Sequence, residues 1–135
     1  MRGGAARTAG VVVRVSRTWL RAHCRLVLRN EDEDTPYAGH FDHPEAIAWI
    51  RDQIARGNRW AWCQVEVRVD FKGLSSTQYL GACSYESEEA FRRCDYFEQL
   101  VSDGVEEIAK ALETLALEHG LWEHDPVSCV WCAVA

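Results

Sequence analysis

Trp60-Ala61-Trp62-Cys63-Gln64-Val65-Glu66-Val67-Arg68-Val69-Asp70-Phe71 is the stretch that decides the fold class of this chain. Ala61, Cys63, Val65, Val67, Val69 and Phe71 alternate with Trp60, Trp62, Gln64, Glu66, Arg68 and Asp70. A strict period of two is what a strand with one buried and one open face requires. Lys72-Gly73-Leu74-Ser75-Ser76 supplies turn residues, and Thr77 to Ser84 reads as the returning partner strand of an antiparallel hairpin. Gly81 falls inside that second strand, where a bulge or a close neighbour is expected.

On either side of the hairpin the period changes to three and four. Pro44 to Arg56 predicts a helix: Asp42 or His43 can cap it, Pro44 suits its first turn, Ile47, Ile50 and Ile54 share a face, and Gly57-Asn58 ends it. Downstream, Ser84 or Ser87 can accept the free amides of a second helix, and Glu86, Glu88 and Glu89 suit its positive end. Phe91, Phe97, Leu100, Val101, Val105, Ile108, Leu112 and Leu115 keep helical spacing as far as the stop at Gly120, except across Cys94-Asp95, where a kink or restart is expected. The expected fold is two-layer α+β, an antiparallel sheet with two helices, near residues 44–56 and 87–118, packed on one face.

Upstream the reading changes character. Residues 1–30 hold seven arginines and no acid, whereas residues 31–135 hold 8 basic against 21 acidic residues, so the net charge of -6 conceals two electrostatically different segments. The expected organisation is a basic N-terminal arm over residues 1–30 and a single α+β domain over residues 31–135. Val11-Val12-Val13-Arg14-Val15 has strand-forming content, and Trp19 to Leu28 fits a strand slightly better than a helix. Glu31-Asp32-Glu33-Asp34-Thr35-Pro36 reads as a solvated loop. If the arm is an addition outside the core, a chain starting near Asn30 folds with nearly unchanged stability. With 135 residues, 47% of them hydrophobic and 27% charged, the chain is expected to be one globular domain, neither disordered nor membrane-spanning, and cytoplasmic. There is no internal repeat and no low-complexity linker.

Three runs carry a family resemblance. They are Gly57-Asn58-Arg59-Trp60-Ala61-Trp62-Cys63, then Tyr79-Leu80-Gly81-Ala82-Cys83-Ser84-Tyr85-Glu86-Ser87-Glu88-Glu89-Ala90-Phe91, then Asp95-Tyr96-Phe97-Glu98-Gln99-Leu100. Over residues 44–116 the chain resembles a family of small bacteriophage and prophage proteins with no assigned activity. The basic first 30 residues and the Cys-containing tail depart from that pattern. The resemblance implies a bacterial host and a setting in which small acidic proteins bind and block host machinery.

The chemistry-bearing residues offer little to an enzymatic reading. There is no Gly-rich phosphate loop, no Gly-x-Ser-x-Gly elbow and no His-Glu-x-x-His. His40 and His43 flank Asp42, an arrangement that more often serves a helix start than proton transfer. Cys24, Cys63, Cys83 and Cys94 read as reduced, small buried hydrophobes. His119, His124, Cys129 and Cys132 are ligand types that zinc prefers, although bulky Val130-Trp131 between the cysteines suits a strand better than a metal knuckle. Cys129-Val130-Trp131-Cys132 lies at the chain's end, where a thioredoxin-like motif is not expected. No cofactor is implied, and zinc held by the tail is a minor alternative.

Two features point to binding. Residues 86–118 hold ten acids against Arg92, Arg93 and Lys110, a face able to dock on a basic surface, with Glu106, Glu107 and Glu113 as its representatives. Trp60 and Trp62 fall on the polar side of the first strand, where they are expected to be exposed anchors. The expected function is therefore a non-enzymatic phage or mobile-element accessory protein. It binds a host protein with a basic surface and inhibits it, in the manner of an anti-CRISPR or anti-restriction factor. The alternatives are a nucleic-acid-associated protein using the Arg-rich arm and a zinc-binding protein using the tail.

Overall fold

A computed structural model describes residues 14–119, with side chains through residue 115. Its helices are α1 (Arg17–His23), α2 (Pro44–Ala55), α3 (Glu88–Arg92) and α4 (Asp95–His119). Its strands are β1 (Arg25–Asp32), β2 (Cys63–Phe71) and β3 (Leu74–Cys83), which form an antiparallel sheet in the order β1-β2-β3. The fold is α+β, with helices packed on the sheet.

β2 behaves as its alternation predicts. Cys63, Val65, Val67, Val69 and Phe71 are buried, and the residues between them are half-exposed. Each fully buried Val contributes roughly 1.5–3 kcal/mol of transfer free energy, so this row is a substantial part of the core. The hairpin closes through Lys72 (φ 46°) and Gly73 (φ 86°), two successive left-handed residues as in a type I′ turn, whose twist matches that of the flanking strands. The turn is thus tighter than the five residues expected, and β3 already begins at Leu74.

The helices follow their signals, with some adjustments. α2 begins at Pro44 with His43 at its cap position, although no side chain bonds the free amides there, and it stops before Gly57 (φ 86°). Within it Ile50 is buried, but Ile54 is 44% exposed. Ser87, not Ser84, caps α3 by accepting the Ala90 amide at 3.1 Å. The long downstream helix restarts as expected, since α3 ends at Arg92 and α4 begins at Asp95.

Two expectations upstream are corrected. Of the strand expected over Trp19 to Leu28, only the part from Arg25 onward is strand; residues 17–23 form a helix, because the Ser16 hydroxyl accepts the Trp19 amide and starts α1. Glu31 and Asp32 belong to β1 instead of a loop, and residue 30 lies inside that strand. Val11 to Val13 lie outside the described residues.

The described residues divide into two compact units. One contains residues 14–25, 70–76 and 105–119, with Val15, Leu20, Phe71, Val105, Ile108, Ala109 and Leu112 at its centre. In it Arg17 grips α4 through both Glu106 oxygens (2.9 and 2.8 Å) and through Glu113, which also accepts the Val15 amide at 2.9 Å. The other unit contains Leu26–Val69 and Thr77–Gly104, centred on Ile50, Val65, Val67, Val69, Phe91, Phe97 and Val101.

Leu20 has no exposed surface. Leu20→Ala is expected to lower unfolding free energy by about 2–5 kcal/mol in urea titration. A chain starting at Asn30 is expected to lose its cooperative transition, since it lacks Leu20, Arg17 and most of β1; a truncated chain that unfolds like the parent would show that this segment is dispensable.

Candidate functional site

In the second unit, four segments surround a groove of about 640 Å³. α2 contributes Ala46, Trp49 and Ile50, which share a face at helical spacing; the end of β3 contributes Leu80 through Tyr85; and His40, Phe41 and Tyr96 complete the wall. Ile50 and Cys83 are buried, whereas Trp49 is 36% and Tyr96 59% exposed. The groove is thus an apolar trough with two large aromatic rings at its surface.

The β3 wall is held out of regular strand geometry. Ala82 has φ 55°, a left-handed conformation that costs a residue with a side chain roughly 1–3 kcal/mol unless its surroundings enforce it. The enforcing group is Glu33, which follows β1: its carboxylate accepts the Ala82 amide and, at 3.0 Å, the Thr35 amide. A Cβ at Gly81 would lie 3.2 Å from Glu33 Oε1, so glycine lets the carboxylate pass over the strand. This fulfils the expectation of a close neighbour at Gly81. Hydrogen bonds to the backbone amides of Thr35 and Ala82 are the leading reason that the Glu33 carboxyl sits below its usual range.

The chemistry of the wall is subdued. Burial pushes the Cys83 thiol up to about 12, and the same effect pushes Cys63 up to about 11. Both thiols therefore stay protonated near neutral pH and are poor nucleophiles. Burial likewise raises the Tyr85 phenol, whose oxygen accepts a bond from the Cys94 thiol at 3.5 Å.

Several residues expected to meet a partner are turned inward. Trp62 is only 8% exposed: its indole N–H donates to the Thr35 carbonyl at 2.7 Å, and the rings of Tyr37, His40 and Phe41 surround it. Trp60 is half-buried and stacks on Phe91, with ring centroids 5.7 Å apart. The alternation misleads here because β2 begins at Cys63, and Ala61, Trp62 and Cys63 are all buried in succession. Asn58 fixes this entry to the strand, accepting the Trp60 amide at 3.0 Å while its amide group donates to Gln53 Oε1 and the Glu86 carbonyl.

Glu106, Glu107 and Glu113 are also engaged internally. Arg17 binds the first and third, and the Ser76 hydroxyl donates to Glu107 at 2.6 Å. The hydrogen bond from Arg17 is the main cause of a lowered Glu106 carboxyl. Arg17 in turn is removed from the arginines that the basic segment offers to a nucleic acid, and Arg29 lies 3.9 Å from Glu66. The side chains of His119, His124, Cys129 and Cys132 lie outside the described residues. Among the described residues, no group of three or more His, Cys, Asp or Glu side chains is placed to hold a metal ion. Nor is any helix among them long and apolar enough to cross a membrane.

The groove residues Trp49 and Tyr96 were not singled out from the sequence. Trp49 stands three residues after Ala46 and one before Ile50, a helical-face pattern that identifies a packed side but gives no sign that its edge is open. Comparison with known proteins adds no name to this site: no family model, curated protein or solved structure matches the chain.

The lowered Glu33 carboxyl has a definite sign in acid. Its stabilising contribution is present above the ordinary glutamate range, about 4.3, and is lost as pH falls through its lower folded value. Urea midpoints measured from pH 7 to pH 3 are expected to fall less steeply for Glu33→Gln than for the parent, and the two curves should converge at low pH. Parallel curves would show that Glu33 does not hold the Ala82 backbone as a carboxylate.

Proposed function

We propose that the chain is a non-enzymatic binding module that docks on a protein partner through the groove between α2 and the end of β3. The observation that carries this reading is an apolar trough with exposed Trp49 and Tyr96 at its surface and a strained, specifically braced wall at Gly81-Ala82. Tryptophan and tyrosine bury large area at small entropic cost, and anchors of this kind dominate binding energy when they enter a partner's pocket. A nucleophile is disfavoured by the protonated state of Cys83, the thiol lining the trough.

The partner class follows from charge and from the motif resemblance. The net charge of -6 favours a basic surface and speeds encounter with one. The resemblance to phage and prophage proteins favours a bacterial host protein in the cytoplasm, bound and inhibited, with a CRISPR or restriction component as the specific form. In this reading the apolar trough, and not the α4 carboxylates, supplies the holding contact.

The test uses Trp49→Ala together with Tyr96→Ala, two positions outside the buried core, each variant checked for an unchanged unfolding transition. Expression of the parent is expected to restore plating of a phage on a host with an active defence system, and the double variant is expected to lose that protection. The component captured by the parent should bind the double variant roughly tenfold or more weakly in titration. A folded double variant that protects and binds like the parent would place the interface elsewhere.

A further inference from the structure

A second cavity, of about 430 Å³, lies in the same unit as the groove, and one aromatic cluster connects the two. Tyr37 and Trp62 line this cavity, His40 and Phe41 line the groove, and the Trp62 ring centroid stands 6.3, 5.3 and 5.8 Å from those of Tyr37, His40 and Phe41. Glu33 also belongs to both, since it lines the second cavity and accepts the Ala82 amide of the groove wall. The apolar surface of the cavity comes from Pro36, Tyr37, Ile54 and Trp62. Ile54, whose 44% exposure departs from the buried helix face expected of it, is thus a cavity wall. Around that surface stand the carboxylates of Asp32, Glu33 and Asp34, against one basic side chain, Arg59. Glu33 holds backbone amides, whereas Asp32 and Asp34 are exposed, and among the described residues no ion pair engages either of them.

We propose that this cavity receives the side chain of an arginine carried by the basic protein partner inferred above, on which the assignment rests. The wall selects the occupant. Its aliphatic and aromatic part requires an apolar stem, and its carboxylates require a cationic head at the end of that stem. A planar guanidinium meets both a ring face and a carboxylate edge, whereas an ammonium is a compact, strongly hydrated point charge. An inorganic cation would leave the apolar wall unused, and among the described residues no group of three or more His, Cys, Asp or Glu side chains is placed to hold one. Free arginine would bring a carboxylate of its own to a wall that already has three, and a nucleic acid would bring phosphates. The α4 carboxylates do not take this role, since Glu106 and Glu113 already hold Arg17. The partner's charge is therefore met beside the groove that holds it.

The test titrates the isotope-labelled full chain with N-acetyl-arginine methylamide, which carries the side chain without terminal charges. Saturable NMR shifts are expected at the amides of Asp34, Thr35 and Tyr37 and at the Trp62 indole N–H, which donates to the Thr35 carbonyl, with a roughly millimolar dissociation constant. The citrulline analogue, of the same shape without the charge, and the lysine analogue should each bind about tenfold more weakly, and free arginine no more tightly than the blocked compound. Asp32→Asn with Asp34→Asn, checked for an unchanged unfolding transition, should weaken arginine binding about tenfold; if that pair unfolds the chain, Asp34→Asn alone is measured. The Trp49→Ala, Tyr96→Ala variant should bind the compound like the parent, so the outcome here is separate from that of the groove. No saturable shift up to about 50 mM, equal binding of the citrulline or lysine analogue, or parent-like binding by the Asn variant overturns the proposal. Tighter binding of free arginine also overturns it, by assigning the cavity to a free amino acid.

Discussion

The pleat of β2 is the constraint on which the rest of this structure depends. Five inward side chains, Cys63 to Phe71 in steps of two, give the sheet one face that must be covered. A shift of one residue would expose three valines and bury Glu66, Arg68 and Asp70, so the register is strongly determined. The hairpin turn reinforces it. Lys72-Gly73 admits only a two-residue connection of the right hand, and β3 is locked to β2 from its first residue.

Glu33 has a role for β3 unlike that of the ion pairs elsewhere. It accepts the backbone amides of Thr35 and Ala82, the second of which belongs to a residue in an unfavourable conformation. A carboxylate so placed converts local strain into shape, and the shape is the wall of the groove. Arg17 works on a different principle in the other unit, where one guanidinium satisfies two carboxylates that would otherwise repel each other along α4.

Regular periodicity was legible and long-range pairing was not. The β2 alternation, the Gly57-Asn58 stop and the break before Asp95 all follow from local rules, and each appears where the residues place it. Trp60 and Trp62 were misread because the same alternation continues in the sequence beyond the point where the strand begins; the loop over residues 35–41 that buries Trp62 leaves no periodic trace. Glu106 and Glu113 looked like a solvated face because their partner, Arg17, lies about ninety residues away in the chain. The motifs that carry the family resemblance prove to be packing motifs: Trp60, Tyr85, Phe91 and Phe97 form one aromatic cluster, so those residues account for the fold more directly than for any partner.

The Arg17 grip also sets an order on events during synthesis. Arg17 of α1 contacts Glu106 and Glu113, separated from it by 89 and 96 positions, so it leaves the ribosome well before its partners. Until residue 113 emerges, the helix lacks its full set of carboxylate partners, and a seven-residue helix is not stable alone. α1 thus makes its Arg17 contacts only after the middle of α4 has been made.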